Sequence, residues 1–219
     1  MKEVLIEHLM AWWQFFRDGG PVMWPIFVCS VAALAIVFER FWMLRRKNVI
    51  VDSVIRESAS LLRSGKVEES RAVLEASNTS LARILIAGMA KIGHSRADIK
   101  EAMENEGSKE NFRLNEFVNM LGNIATLGPL LGFLGTVMGM IIVFRNIAQI
   151  GAGEAGRVAG GIGVALICTA SGLTVGIPAF IAYRYFLARI ENLMVEMEAN
   201  SNEFLDLIDA VSTRKEATP

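Results

Sequence analysis

Two long apolar stretches without an ionisable side chain dominate the pattern of hydrophobic and polar positions in the second half of the chain. Residues 117–144 and 158–183 contain no Asp, Glu, Lys, Arg or His. Each stretch exceeds the ~20 apolar residues that carry an α-helix across a bilayer. We therefore predict two membrane-spanning helices, over 117–144 and 158–184, joined by a short periplasmic loop, 145–157.

A third apolar stretch lies nearer the N-terminus, after the break at Gly19-Gly20-Pro21. It predicts a first transmembrane helix within 19–44, with prolines in its first turns, where a missing N–H costs little. The helix is followed by a basic cluster that we expect to anchor its cytoplasmic end, Arg45, Arg46 and Lys47. Glu39 and Arg40 are expected to extend from the helix end to the same interface.

The positions of the basic residues give the predicted orientation. Arg184 and Arg189 follow the last span, and the loop 145–157 is short and nearly neutral. By the positive-inside rule the N-terminus is periplasmic and the C-terminus cytoplasmic. Residues 1–18 place paired tryptophans on an amphipathic pattern, which predicts an interfacial helix.

The remaining polar segments predict soluble helices. Residues 45–116 have helical periodicity in short segments, and the alternating charges up to Glu116 favour a solvated helix face. No break precedes residue 117, which predicts one helix running from this cytoplasmic domain into the membrane. Within 185–219 a heptad seam predicts that the last helix continues and packs in the cytoplasm against this chain or a neighbouring copy; it comprises Ile190, Met194, Met197, Ser201, Phe204, Ile208 and Val211.

Small residues form one stripe on each of the last two membrane helices, in steps of four, three and four. Small residues at these spacings let helix backbones approach closely within a bilayer, inside one protomer or between protomers. Pro129 and Pro178 each free a carbonyl and can kink their helices. The stripes consist of Gly128, Gly132, Gly135 and Gly139, and of Ala165, Thr169, Gly172 and Gly176.

Composition narrows the function classes. The net charge of -1 gives no basic footprint for nucleic acid. Cys29 and Cys168 lie in apolar segments without metal or disulfide spacing, so we interpret them as small packing residues. No phosphate loop, metal pair or nucleophile with a base occurs, so we expect neither enzyme activity nor a cofactor.

Three motifs together resemble the MotA/TolQ/ExbB proton channel family, on its ExbB/TolQ side. GGPVMWP at 19–25, followed by FER at 38–40, is similar to the family's first helix. GPLLGFLGTVMG at 128–139 resembles its second-helix signature. ALICTASGL at 165–173, with IPA at 177–179, resembles its third. One departure is Val164, which stands where ExbB/TolQ relatives usually have Glu.

The resemblance implies an all-α membrane protein of the bacterial inner membrane that assembles as a homo-pentameric ring. It implies a single-span ExbD/TolR-like partner with an intramembrane Asp, and a motor that couples ion flow to mechanical work. Thr136 and Thr169 match the family's pore-lining threonines. Proton or sodium flow, the process driven and the effect of Val164 stay open. The alternative is a non-conducting oligomeric scaffold; a secondary transporter is disfavoured because no inverted repeat is visible.

Overall fold

The computed structural model describes residues 19–150 and 155–216, and these ranges form helices joined by turns, without a strand. The prediction of an all-α protein is thereby confirmed. The predicted interfacial helix over 1–18 lies outside the described residues. Seven helices follow in chain order: α1 Met23–Met43, α2 Arg46–Val49, α3 Asp52–Arg63, α4 Val67–Ser77, α5 Ser80–Met89, α6 Arg96–Ile150 and α7 Ala155–Glu216.

Within the described ranges, three helices are long and apolar enough to cross a membrane: α1 and parts of α6 and α7. Helix α6 has 55 residues and α7 has 62, so each continues without interruption from its apolar part into its polar part. This continuity matches the expectation from the missing break signal before residue 117. Pro129 lies inside α6 and Pro178 inside α7.

The loop predicted over 145–157 is shorter in the structure. Helix α6 extends to Ile150 and α7 begins at Ala155. Residues 145–150 contain neither proline nor glycine, so nothing in them stops the helix before Gly151. The charge of Arg145 predicts the end of the membrane span, but a charge at a membrane border does not end a helix.

The chain divides into two compact units. Among the described residues, the membrane unit contains 19–38, 119–150 and 155–184. In it, Met23 and Ile26 of α1 pack on the fully buried Cys168 of α7. The Cys168 thiol donates a hydrogen bond to the Gly19 carbonyl over 2.9 Å, which agrees with the interpretation of this cysteine as a packing residue.

The soluble unit contains residues 39–118 and those from Tyr185 onwards. Its core is made of large apolar side chains, including fully buried Leu62, Leu74, Leu81 and Leu85. At the start of α5, the Thr79 hydroxyl accepts a hydrogen bond from the Ala82 amide. The buried hydroxyls of Ser58 and Ser70 lie 2.7 Å apart and satisfy each other.

The heptad seam of α7 is turned into this unit. Ile190, Met197, Phe204 and Ile208 are buried, and the other seam positions are half-buried. A Cβ added to Gly88 of α5 would lie 3.2 Å from Cδ1 of Ile208, so α5 and α7 pack closely at that point. The seam therefore packs against its own chain, one of the two outcomes that the heptad pattern left open.

Candidate functional site

Helices α6 and α7 meet along their small-residue stripes in the membrane unit. A Cβ added to Gly128 would lie 3.0 Å from the Gly172 carbonyl oxygen. One added to Gly132 would lie 3.0 Å from the Cys168 carbonyl oxygen. These distances leave no room for a side chain, so the backbones themselves form the contact.

The same close approach continues along both stripes. A Cβ on Gly139 would lie 2.9 Å from the Gly161 carbonyl oxygen and 3.0 Å from Cβ of Ala165. One on Gly135 would meet the side chain of Cys168. The structure therefore places the two stripes against each other within one protomer.

The two prolines differ in their surroundings. The Pro129 ring packs against α7, since a Cβ on Gly176 would lie 2.6 Å from its Cδ. Pro178 is exposed on the surface of the protomer. Pro129 thus takes part in the contact between the two helices, whereas Pro178 does not fill it.

Thr136 and Thr169 are both half-buried at the edge of this contact. Oγ1 of Thr136 donates to the Phe133 carbonyl over 2.6 Å. Oγ1 of Thr169 lies 3.3 Å from the Ala165 carbonyl and 3.4 Å from the Gly132 carbonyl of α6. Each hydroxyl thus gives its proton to the backbone and keeps lone pairs that can accept a hydrogen bond from water or a hydrated cation.

Val164 does not share the face of Thr169. Five residues along an α-helix rotate a side chain by about 140° relative to its start. Val164 is half-buried. A carboxylate at this position would therefore point away from the Thr169 hydroxyl.

The basic cluster after α1 has divided roles. The Arg45 guanidinium lies 4.8 Å from the Trp42 ring centroid, within reach of a cation–π contact. Lys47 is exposed. Arg46 instead donates to Asp52 over 2.6 Å and to Glu196 of α7. The hydrogen bonds from Asp52 and Glu196 raise the pKa of Arg46 above its usual value.

Arg40 contradicts its predicted position at the interface. Its side chain is only 2% exposed. Nη1 donates to the Leu114 carbonyl over 3.3 Å, and the guanidinium lies 4.7 Å from the Phe117 ring centroid. Nε is 3.0 Å from the Glu39 carboxylate. The prediction was wrong because α6 offers a carbonyl and an aromatic face beside the end of α1.

Sequence reasoning missed Glu110, which it assigned to a solvated helix face. Glu110 is fully buried and accepts two hydrogen bonds from Arg83, over 2.6 and 2.8 Å, and one from Arg113 over 2.5 Å. Burial raises the pKa of the Glu110 carboxyl, but the hydrogen bonds from Arg83, Ser80 and Arg113 and the charge of Arg83 together lower the pKa more, so it lies below its usual value. The available signal was Arg83, the single charge in the apolar segment of α5.

No cluster of His, Cys, Asp and Glu that could hold a metal ion occurs among the described residues. The fold and the site define a three-span helical membrane protein whose last two spans are joined by backbone contact and carry no charge.

The model of the MotA/TolQ/ExbB proton channel family matches residues 76–199. The chain belongs to that family.

Relatives are found on both the ExbB and TolQ sides of the family. An ExbB-like protein of Synechocystis, named for biopolymer transport, is 35% identical over 88% of this chain and 77% of its own length. The biopolymer transport protein exbB1 of Vibrio cholerae is 27% identical over 86% of this chain and 85% of its own. The Tol-Pal system protein TolQ of Pseudomonas aeruginosa is 27% identical over 93% of this chain and 94% of its own.

Proposed function

We propose that this chain is the ring-forming subunit of an inner-membrane motor that converts ion flow into mechanical work. The relatives named for biopolymer transport and for the Tol-Pal system support this proposal. The proposed function is ion conduction coupled to mechanical work, and it includes no catalytic reaction. The alternative function is a non-conducting oligomeric scaffold.

The observation that carries the proposal is the chemistry of the α6 and α7 spans. They contain no ionisable residue, but Thr136 and Thr169 offer hydroxyl acceptors at the edge of their contact. A wall of this kind can solvate a passing cation without holding it. The group that binds and releases the ion must therefore belong to another chain.

The partner that fits is a single-span subunit of the ExbD/TolR type with an Asp within the membrane. Its carboxylate would be neutral while it faces the apolar wall and charged where it meets water. Alternation between these states would rotate the partner relative to a homo-oligomeric ring, for which we propose five copies. The proposed topology places the basic ends of the spans in the cytoplasm and the N-terminus in the periplasm.

Ion flux tests the roles of the two threonines. The complex with its partner is reconstituted in liposomes, and flux is measured for Thr136→Val and Thr169→Val. Loss of one hydrogen-bond acceptor is expected to lower flux about fivefold. Thr174→Val is the matched control, since Thr174 is exposed, donates to the Ala170 carbonyl over 2.7 Å, and points about 140° away from Thr169 on α7. Flux equal to wild type in both test variants would remove them from the ion path.

Native mass spectrometry separates the motor from the scaffold. The complex is taken from its own membrane by a tag at the C-terminus. A five-membered ring holding a one-span protein with an intramembrane Asp supports the motor. A ring without such a protein favours the scaffold. The reason to consider a scaffold is Val164, which stands where relatives usually have a carboxylate. A scaffold would also keep its phenotype when the ion gradient is dissipated.

A further inference from the structure

Part of the outward face of α6 is polar near one end of its membrane span, beside the exposed apolar side chains of Met120 and Leu127. Asn119, Asn123 and Thr126 follow one another in steps of four and three, and all three are exposed. Thr126 and Gly128, two residues apart, point about 160° away from each other on the helix. The polar residues therefore lie opposite the stripe that contacts α7.

These side chains are available for an external partner. The Thr126 hydroxyl donates to the Gly122 carbonyl over 3.1 Å and keeps its lone pairs. The amides of Asn119 and Asn123 make no hydrogen bond to any residue in the ranges 19–150 and 155–216. Two unused primary amides at the end of an apolar span need water or protein to satisfy them.

The outward face of α7 differs from that of α6 at this depth. A Cβ on Gly122 would lie 2.9 Å from Cε2 of Tyr183, so Asn123 is almost level with Tyr183 on the antiparallel helix. Towards the middle of the span from that level, the large exposed residues of α7 are apolar, namely Ile177, Phe180 and Ile181, each more than half exposed, whereas the exposed Arg184 and Tyr185 follow on the other side. An apolar face and a polar face at the same depth indicate different surroundings.

The polar face lies ten residues from Thr136 along α6, and the large exposed side chains between Thr126 and Thr136 are apolar: Leu127, Leu130, Phe133 and Leu134. Thr126 and Asn119 are seven residues apart and share one side of the helix, whereas Thr136 is rotated from Thr126 by about 80°. A path beside Thr136 that drifts by this angle over ten residues of α6 reaches the Asn119 side of the helix. It would then meet acceptor oxygens at Thr136 and again from Thr126 to Asn119.

We propose that Asn119, Asn123 and Thr126 form the water-filled exit of the ion path, at the cytoplasmic end of the span in the proposed topology. The ligand class is a hydrated monovalent cation, held by amide and hydroxyl oxygens. The identity of the ligand as an ion rests on the proposed function. The prediction that water reaches these side chains rests only on their exposure and polarity.

Thiol labelling tests water access without requiring flux. In membranes containing the assembled complex, Asn123→Cys is treated with a charged, water-soluble methanethiosulfonate reagent, and Ile181→Cys serves as the matched control at similar depth. The unmodified chain, which has Cys29 and Cys168, gives the background. Rapid labelling of the Asn123 variant and none of the Ile181 variant is expected. Equal labelling of the two, or none in either, overturns the water-filled exit.

Measurements of ion flux then test whether these side chains belong to the ion path. The double variant Asn123→Leu with Thr126→Val loses these acceptors and is expected to lower ion flux about fivefold. The single variant Asn123→Gln keeps an amide and the native Thr126, so its flux is expected to stay close to that of wild type. Normal flux in the double variant beside reduced flux in Thr136→Val overturns the exit and leaves the motor standing. Absence of flux in the wild-type complex overturns the motor. If the double variant fails to assemble, the labelling result decides.

Discussion

The contacts that stabilise the interior of the membrane unit differ in kind from those that stabilise the interior of the soluble unit. In the membrane unit, α6 and α7 touch through backbone, with glycines whose added Cβ would lie about 3 Å from a carbonyl of the other helix. In the soluble unit, the contacts are large apolar side chains and ion pairs. Water supplies a hydrophobic driving force that lipid does not, so helices in the bilayer associate mainly through close packing and hydrogen bonds between them.

The strongest test of this difference is a side chain placed between α6 and α7. Gly172→Val would put a Cβ 2.9 Å from Cα of Gly132, with no flexible side chain to move aside. We expect complete loss of folded protein in detergent, measured by size-exclusion chromatography and thermal unfolding. Gly163→Val is the control, because no atom lies within 4 Å of a Cβ built there. Equal stability of the two variants would mean that the backbone contact does not hold the unit.

The soluble unit should respond by a graded loss instead. Leu81 is fully buried, and Leu81→Ala removes apolar contacts and leaves a cavity, at a cost of about 2–5 kcal/mol in the free energy of unfolding. Urea unfolding of the full chain, followed by circular dichroism, measures this change. Val195→Ala is the matched control, since Val195 is 67% exposed. A cost as small in Leu81→Ala as in the control would contradict the assigned core.

The buried carboxylate of Glu110 is a second difference between the two units, because residues 119–150 of the membrane unit contain no carboxylate. Glu110→Gln leaves Arg83 and Arg113 without their anion. Because Arg83 is about one-third exposed, we expect a loss of only about 1–3 kcal/mol, measured by the same unfolding assay. Glu75→Gln, which breaks an exposed pair with Arg71, should change little.

The same carboxylate predicts a pH dependence. Its pKa is lowered in the folded chain relative to the ordinary value of 4.5. Its stabilisation is therefore present above pH 4.5 and is lost as the pH falls through the folded pKa. Wild type should lose more stability than Glu110→Gln over that acidic window. Parallel pH curves for the two proteins would remove the assignment.

The smallest effect is expected at Arg46. Its pairs with Asp52 and Glu196 are exposed, so salt should screen them. Arg46→Ala should lower stability slightly at low ionic strength and not at all in molar salt, measured by thermal unfolding. Lys47→Ala should show no such salt dependence, and a loss that persists in high salt would point to packing rather than charge.

The features that the sequence predicted are those set by periodicity and length. The three spans, the continuity of α6 and the seam through Met197 and Phe204 depend on spacing along one helix. The failures depend on neighbours far along the chain. Arg40 is buried because Leu114 and Phe117 lie beside it, and Glu110 because Arg83 reaches it. No spacing rule reports such pairs.

The candidate site divides in the same way. The small-residue stripes could be read from their steps, but their pairing within one protomer could not, since the same spacing suits either partner. The outward amides of Asn119 and Asn123 were visible as polar residues in an apolar run, but their shared outward face emerged only with the exposure of each side chain.

The backbone contact between α6 and α7 also sets how the pair can carry a load. Side chains in an ordinary core can change rotamers and absorb a small displacement. Gly128, Gly132 and Gly172 have no side-chain rotamers, so their contact cannot absorb a displacement in this way. A displacement of one helix is therefore transmitted directly to the other, and we expect α6 and α7 to move together as a rigid pair.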